Sequence, residues 1–183
     1  MRQTIYTIGQ GARSIEDLVA ALESRGVRFL CDVRTVPISN HAPDFCATEL
    51  RGHLARVGIA YVPMGDSLGG RPVDRSVYTA EGYVDYDKLV SADFFKAGIE
   101  RLVRGASDGH RMAVFCSEGE PERCHRSKAI GRALDEIGSA VLHVDSNGFD
   151  ISQERVLARI APQIPLLSDI PDPRKLSRGR YTI

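Results

Sequence analysis

Residues 112–126 read MAVFCSEGEPERCHR, and they give the clearest indication of how the chain folds. The apolar run 112–115 is too short for a helix and precedes a loop with glycine and proline, so it predicts a buried strand with Cys116 at its carboxyl end. Helical spacing of apolar residues follows Ser127 and predicts a helix that ends near Gly138. The stretch is therefore expected to run strand, loop, helix.

Similar apolar runs recur along the chain and alternate with helical patterns. The five predicted strands are residues 5–8, 27–33, 59–62, 112–115 and 140–144. This alternation predicts an α/β fold with a mostly parallel five-stranded sheet and helices on both faces, a flavodoxin- or rhodanese-like three-layer sandwich. The first helix is expected to begin at Ser14, with Asp17 completing a capping box, and the last to span 152–161.

The predicted domain covers residues 1–163, and 164–183 is interpreted as a proline-containing basic tail. Prolines interrupt regular structure at positions 162, 165, 171 and 173. The basic residues of the tail are Arg174, Lys175, Arg178 and Arg180. Such a cluster leaves a contact with nucleic acid or another partner open.

Right-handed crossovers bring the carboxyl ends of parallel strands to one edge, where ligands of open α/β sheets bind. Four segments should meet there: residues 9–14, 32–34, 68–71 and 116–126. We expect a small anionic or nucleotide-like ligand at this edge, because helix amino termini and arginines attract anions. The candidate binding residues are Gly9, Gly11, Arg13, Asp32, Arg34, Arg71, Arg123 and Arg126.

Cys116 is the candidate nucleophile at this edge, with Glu118 and His125 as candidate catalytic partners. A thiol near a helix mouth and arginines is stabilised as the reactive thiolate. Glu118 could act as a general acid or base. The alternative is a buried structural cysteine under a charged surface loop. Glu118, Glu120 and Glu122 would raise the thiol pKa unless they point outward.

The sequence favours neither a metal nor an organic cofactor. Cys116, Cys124 and His125 are possible ligands, but C-x7-C-H lacks the short cysteine spacing of ordinary zinc sites and an evident fourth ligand. The glycines at positions 9 and 11 lack the third glycine of a dinucleotide fingerprint, which would fall at Ser14. We therefore expect no cofactor.

Two polar residues occupy apolar runs. His143 lies within the last predicted strand, where a histidine is more often a hydrogen-bonded core residue than a catalyst. Asp32 ends the second strand and could serve either the ligand site or an arginine pair of the scaffold. Both readings of Asp32 stay open from the sequence.

Composition limits the possible partners. The 183 residues contain 24 basic and 24 acidic side chains, so no global field draws the chain to nucleic acid or to a membrane surface. Apolar runs are shorter than the roughly 18 residues of a membrane helix, and the first residues lack a signal pattern. The four cysteines are too few for a disulfide scaffold. We expect a soluble cytoplasmic protein with free thiols.

Five motifs resemble one known family. They are YTIGQGAR at 6–13, DVRTVP at 32–37, APDF at 42–45, LGG at 68–70 and CSEGEPERCHR at 116–126, and together they resemble domain of unknown function 488. The likeness runs from about residue 4 to 144. It implies a compact α/β domain and brings no activity with it.

A weaker likeness connects the chain with rhodanese and cysteine-phosphatase domains. It implies that Cys116 would carry a persulfide or phosphoryl group, with Asp32 and Arg34 supporting the site. The spacing to Arg123 is C-x6-R, whereas such phosphatases use C-x5-R.

Three functions remain as hypotheses. The first is a sulfurtransferase- or hydrolase-like enzyme that uses Cys116 on a small or nucleotide-like substrate. The second is a non-catalytic module that holds a nucleotide or phosphate in the same pocket. The third is a nucleic-acid-associated accessory protein that uses its basic tail.

Overall fold

A six-stranded sheet lies at the centre of the computed structural model, which describes residues 4–160 and 172–181. The strands are β1 (Ile5–Gly9), β2 (Phe29–Asp32), β3 (Ala60–Pro63), β4 (Met112–Cys116), β5 (Val141–Val144) and β6 (Asp150–Ser152). Their order is β3-β2-β4-β1-β5-β6, with the first five parallel and β6 antiparallel to β5. The predicted mostly parallel sheet is confirmed. The sixth strand, β6, was not predicted from the sequence and is only three residues long.

Helices of different lengths connect the strands. They are α1 (Ile15–Glu23), α2 (Ala47–Arg56), α3 (Gly65–Leu68), α4 (Tyr86–Ser91), α5 (Asp93–Ser107), α6 (Arg132–Glu136) and α7 (Gln153–Ile160). The predicted capping box at Ser14 is present. The helix expected after Ser127 begins as a π-helical turn, Arg126–Gly131, that continues into α6. No helix in the described ranges has the length and apolar character that crossing a membrane demands.

Both faces of the sheet are buried, as the parallel arrangement requires. Along β4, Met112, Val114 and Cys116 pack into one apolar cluster with α5, while Ala113 and Phe115 pack into a second one with α1 and α2. This alternation follows the two-residue period of a strand. The predicted α/β class with covered faces is confirmed, and the likeness to flavodoxin or rhodanese stays a prediction.

The strand register aligns three loops at the carboxyl edge. Gly9 at the end of β1 lies opposite Cys116 at the end of β4, and Asp32 at the end of β2 lies opposite Phe115. The loops that follow these strands therefore start side by side. Cys116 leaves the sheet at this common edge.

Residues 172–181, here called the C-terminal segment, pack against the chain that precedes α4. Asp85 and Leu176 form an antiparallel bridge, and the Tyr181 N–H donates to the Gly82 carbonyl oxygen at 2.9 Å. The described end of the predicted tail is thus attached to the domain. Pro162, Pro165 and Pro171 lie outside the described residues, and the division at residue 163 stays a prediction.

His143 is a fully buried, hydrogen-bonded residue of β5, as expected from its apolar surroundings. Gln153 donates its amide hydrogen to the Ser127 carbonyl, so its oxygen accepts from His143 Nε2 at 2.5 Å. The Thr7 hydroxyl then donates to His143 Nδ1 at 2.7 Å. Burial lowers the pKa of His143 to about 4 from its usual 6.5. The ring is neutral in the folded protein.

We expect His143 to make the fold sensitive to acid. Below pH 6.5 the unfolded chain takes up a proton that the folded protein binds only near pH 4, so stability is complete above pH 6.5 and is lost as the pH falls. The lowered pKa accounts for about 2 kcal/mol lost between pH 7 and pH 5. Urea unfolding at both values measures it. The His143→Gln variant should lose this part of the pH dependence; an unchanged difference would contradict the assignment.

Candidate active site

A cleft of about 1370 Å³ opens at the carboxyl edge of the sheet. Its lining comes from the loops after β1, β2, β3 and β4 and from the C-terminal segment. Among the described lining residues, six are arginines, and the only carboxylate is that of Glu118. The arginines are Arg34, Arg71, Arg75, Arg123, Arg178 and Arg180. The predicted convergence of distant segments is therefore present.

The floor of the cleft holds Cys116, Cys124 and His125, here called the Cys–Cys–His cluster. Their exposed fractions are 8%, 3% and 7%, whereas most of the lining arginines are exposed. His125 Nδ1 lies 3.8 Å from Cys116 Sγ and 3.6 Å from Cys124 Sγ. All three donor atoms lie within 4.8 Å of one another. Two thiols and one imidazole nitrogen thus share one buried position.

The loop after β3 fixes the ring of His125. His125 Nε2 lies 3.1 Å from the Leu68 carbonyl oxygen, which can only accept, so Nε2 carries the hydrogen. Gly70 packs against the ring, and a Cβ there would lie 2.7 Å from Nδ1. The Leu68–Gly70 part of the LGG motif therefore orients the ring and leaves its Nδ1 lone pair facing the two sulfurs.

The pKa values of the two thiols are shifted in opposite directions. Burial opposes ionisation of Cys124, but a hydrogen bond from Cys116 and interactions with His125 and Arg126 outweigh it and lower the pKa of Cys124 well below its usual value. The same hydrogen bond and burial raise the pKa of Cys116. Thiolate character therefore falls on Cys124. From the sequence the thiolate was expected at Cys116, without regard to the second thiol, and the identity of the nucleophile stays a prediction.

Arg126 stabilises the loop after β4 and does not line the cleft. Its side chain is fully buried and donates to the carbonyl oxygens of Glu118 and, at 2.6 Å, Gly119. Its backbone N–H points at Cys124 Sγ, 3.4 Å away. Arg126 was predicted as a ligand-binding residue; the structure instead directs its guanidinium at backbone carbonyls.

Arg13 is likewise absent from the cleft lining. It donates to the carbonyl oxygen of Gly9 at 2.7 Å and to that of Asp145. These bonds join the turn after β1 to the loop after β5. The structure directs these guanidinium donors to backbone carbonyls, and a role of Arg13 at an anion site stays a prediction.

Gly9 and Gly11 allow two backbone segments to touch. A Cβ on Gly9 would collide with the Glu118 carbonyl oxygen, and one on Gly11, whose φ is +54°, would lie 2.9 Å from Gly119 Cα. Gly11 also lines the cleft, while Gly9 does not. Gly9 and Gly11, which were predicted as ligand-binding residues, thus allow the loop after β4 to approach closely, and contact with a ligand stays a prediction.

Asp32 supports Arg34 from below the cleft. Two hydrogen bonds of 2.9 and 2.6 Å connect the guanidinium to the two carboxylate oxygens, and Tyr61 donates its hydroxyl to Asp32 at 2.7 Å. Arg34 also lies over the Phe115 ring, 4.8 Å from its centroid. Burial would lower the pKa of Arg34, but the bonds to Asp32 outweigh it and raise the pKa. The scaffold reading of Asp32 is the one that the geometry supports.

Two carboxylates of the acidic loop are paired with arginines. Glu118 pairs with Arg178 at 3.2 Å, and Glu122 pairs with Arg159 at 2.7 Å. Arg123 is exposed and forms no side-chain hydrogen bond or ion pair with any described residue. These ion pairs balance the negative charge of Glu118 and Glu122, although Glu118 itself lines the cleft.

Several lining residues were not predicted as part of the site. Arg75 follows the glycine loop, and Arg178, Arg180 and Tyr181 come from the C-terminal segment. Tyr181 stacks with Arg71, whose guanidinium lies 4.5 Å from the ring centroid. The basic end of the chain was visible in the sequence, but no sequence pattern placed it beside Cys116.

Fold and site together define an α/β protein whose parallel sheet opens onto an arginine-lined cleft with a Cys–Cys–His floor. The family model described as "Domain of unknown function DUF488" matches residues 14–131, more than half of the chain, and the chain belongs to this family. Comparison with curated proteins and with solved structures gave no match. The family expectation is confirmed, and the likeness to rhodanese and cysteine phosphatases stays a prediction.

We expect Gly9→Ala to destabilise the fold, because the added methyl group collides with the Glu118 carbonyl oxygen. Overpacking of this kind lowers the free energy of unfolding by about 1–3 kcal/mol. Gly52→Ala is the matched control: Gly52 lies in α2 with nothing within 4 Å of an added Cβ. It should be neutral or stabilising by up to about 1 kcal/mol. Equal urea midpoints for both variants would contradict this account of Gly9.

Proposed function

We propose that the chain is an enzyme that binds a small phosphate-bearing or nucleotide-like anion in the arginine-lined cleft and acts on it at the Cys–Cys–His cluster. The reaction would be sulfurtransferase- or hydrolase-like. The observation that carries the proposal is the charge of the cleft, six arginines against one carboxylate, in a chain whose formal net charge is zero.

The arginines suit an anionic ligand. A guanidinium presents several N–H donors in a planar fork that matches phosphate oxygens. Arg71, Arg75 and Arg123 form no ion pair with a described carboxylate, so their donors are available. Ligand pockets commonly measure about 300–1000 Å³, so the cleft has room for a nucleotide-sized molecule. Arg34, held by Asp32, supplies a fixed charge at the inner wall.

The cluster provides the reactive groups. His125 Nδ1 faces both sulfurs and can accept a thiol proton, which is the role of a base paired with a nucleophile. In sulfur transfer, a cysteine thiolate attacks the outer sulfur of a thiosulfate-like donor, the S–S bond breaks, and sulfite leaves with the electron pair. In hydrolysis, water is added across the bond that is cleaved. Glu118 stays a candidate acid or base at the rim.

A non-catalytic anion-binding module is the second candidate. The observation that favours it is the enclosure of both sulfurs, together with the raised pKa of Cys116. The third hypothesis, a nucleic-acid-associated accessory protein, assigned the basic tail to nucleic acid. Arg178 and Arg180 of that tail line the same cleft, so among the described residues they do not form a separate binding surface. Strongly salt-dependent retention on nucleic acid would support that third reading.

We expect inorganic pyrophosphate to bind the cleft, measured by isothermal titration calorimetry. Arg71→Gln and Arg123→Gln should each weaken binding about 10- to 100-fold, because each removes a charged hydrogen-bond donor. Arg104→Gln is the control, since Arg104 is exposed on α5 and does not line the cleft. Absence of binding, or an equal loss in the control, would contradict the anion site.

Measurement of turnover distinguishes the enzyme hypothesis from the hypothesis of a non-catalytic binding module. Release of nitrophenol from p-nitrophenyl phosphate and of sulfite from thiosulfate in the presence of cyanide test the two reaction types. We expect one of them to be lost in Cys116→Ser and Cys124→Ser but retained in Cys46→Ser, whose cysteine lies outside the cluster. Pyrophosphate binding without either activity would favour the module.

A further inference from the structure

The two nitrogen–sulfur distances of the Cys–Cys–His cluster match those of a tetrahedral metal site. Zinc–sulfur bonds of about 2.3 Å and zinc–nitrogen bonds of 2.0–2.1 Å place a nitrogen and a sulfur ligand about 3.6 Å apart at a tetrahedral angle. His125 Nδ1 lies 3.6 and 3.8 Å from the two sulfurs. The two sulfurs lie within 4.8 Å of each other. Two zinc–sulfur bonds of about 2.3 Å require about 3.8 Å between the sulfurs, so one ion contacts all three donors if the cysteine side chains adjust to that separation.

The protein also prepares two of the three donors, His125 and Cys124, for coordination. The Leu68 carbonyl oxygen accepts the Nε2 hydrogen of His125, which leaves Nδ1 unprotonated and aimed at the sulfurs. Such a second hydrogen bond is the usual way in which a metal-binding histidine is oriented. The backbone N–H of Arg126 points at Cys124 Sγ, 3.4 Å away, as an outer partner of a thiolate ligand.

The path of the backbone explains how cysteines eight positions apart come together at one metal site. Cys116 is the last residue of β4, while Cys124 and His125 precede the π-helical turn, and the short helical turn Pro121–Arg123 returns the chain between them. No metal was expected from the sequence, because C-x7-C-H lacks the short spacing of two cysteines in one turn. Here two different elements supply the cysteines, so that rule does not apply.

We propose that Cys116 Sγ, Cys124 Sγ and His125 Nδ1 bind a thiophilic divalent metal ion, with zinc as the best match. Sulfur and imidazole ligands in a tetrahedral arrangement select zinc over magnesium or calcium. Within the described residues, no further histidine, cysteine or carboxylate joins these three. Sites with three protein ligands keep a fourth position for water or substrate. All three ligands line the cleft, so that position faces the arginine-bearing walls.

This inference deepens the proposed function: metal binding can be tested alone, but a catalytic role of the metal rests on the proposed function. On coordination each thiol that is still protonated releases its proton to solvent, and the sulfurs are then bound to the ion. Coordination occupies the thiolate electron pairs that would otherwise attack a sulfur donor, so the metal form favours the hydrolase-like reaction. The ion would supply a nucleophile by making its bound water more acidic.

Titration of the reduced, tag-free protein with Co²⁺ tests the proposal, because cobalt replaces zinc and reports its ligands in its absorption spectrum. We expect one cobalt per chain, a thiolate-to-cobalt charge-transfer band and the visible bands of tetrahedral cobalt. Added Zn²⁺ should remove these bands and raise the unfolding temperature by mass action. Cys116→Ser, Cys124→Ser and His125→Gln should each lose more than about 100-fold in affinity, beyond the 10- to 100-fold typical of outer partners.

Matched variants distinguish loss of a ligand from loss of the fold. Cys46→Ser and His53→Gln alter a cysteine and a histidine outside the cluster, and they should bind cobalt like the parent. Gly70→Ala keeps all three donors but brings a methyl group to 2.7 Å from Nδ1, so we expect a loss of about 10- to 100-fold.

The inference is overturned if the parent binds no cobalt, if the bound cobalt shows no thiolate charge transfer, or if Cys46→Ser loses as much affinity as Cys116→Ser. Pyrophosphate titration of the metal-free protein keeps the two proposals separate. If the protein binds pyrophosphate but not cobalt, the metal site is contradicted and the anion site is supported. If the protein binds cobalt but binds pyrophosphate in neither its metal-free nor its metal-loaded form, the metal site is supported and the proposed function is contradicted.

Discussion

The site depends on one close contact between two stretches of backbone. Gly9 ends β1 beside Cys116 at the end of β4, and the turn that follows lies against the carbonyl of Glu118 and the Cα of Gly119. No side chain separates them, because glycine occupies the facing positions. This contact sets the path of the loop after Cys116 and so determines where Cys124 and His125 can lie. The buried guanidinium of Arg126 then stabilises the same loop through its carbonyls.

Charge is distributed unevenly over a chain that is neutral as a whole. Carboxylates at the edge of the site are used by the protein itself: Asp32 holds Arg34, Glu118 pairs with Arg178, and Glu122 pairs with Arg159. The cleft is left with a surplus of guanidinium groups above a floor of sulfur and imidazole. Such an arrangement favours a negatively charged ligand at the walls and chemistry at the floor.

The strands, their parallel order and the shared carboxyl edge could be predicted, because strand periodicity and crossover handedness are properties of the sequence pattern. The targets of Arg13 and Arg126 could not be predicted, since a long guanidinium reaches a carbonyl as readily as a ligand. The role of Gly70 could not be predicted either, because it depends on the ring of His125, which is distant in the sequence and packs against Gly70 in the fold. Arg178 and Arg180 enter the cleft through the bridge between Asp85 and Leu176, a pairing between distant residues that no local pattern indicates.

A crystal structure of the reduced protein grown with pyrophosphate tests the central claim most directly. Our account predicts that the anion lies in the cleft, contacts Arg71 and Arg123, and sits over three mutually close donor atoms of Cys116, Cys124 and His125. An anion bound elsewhere on the surface, or a cluster whose sulfurs point away from Nδ1 and from the cleft, would contradict it.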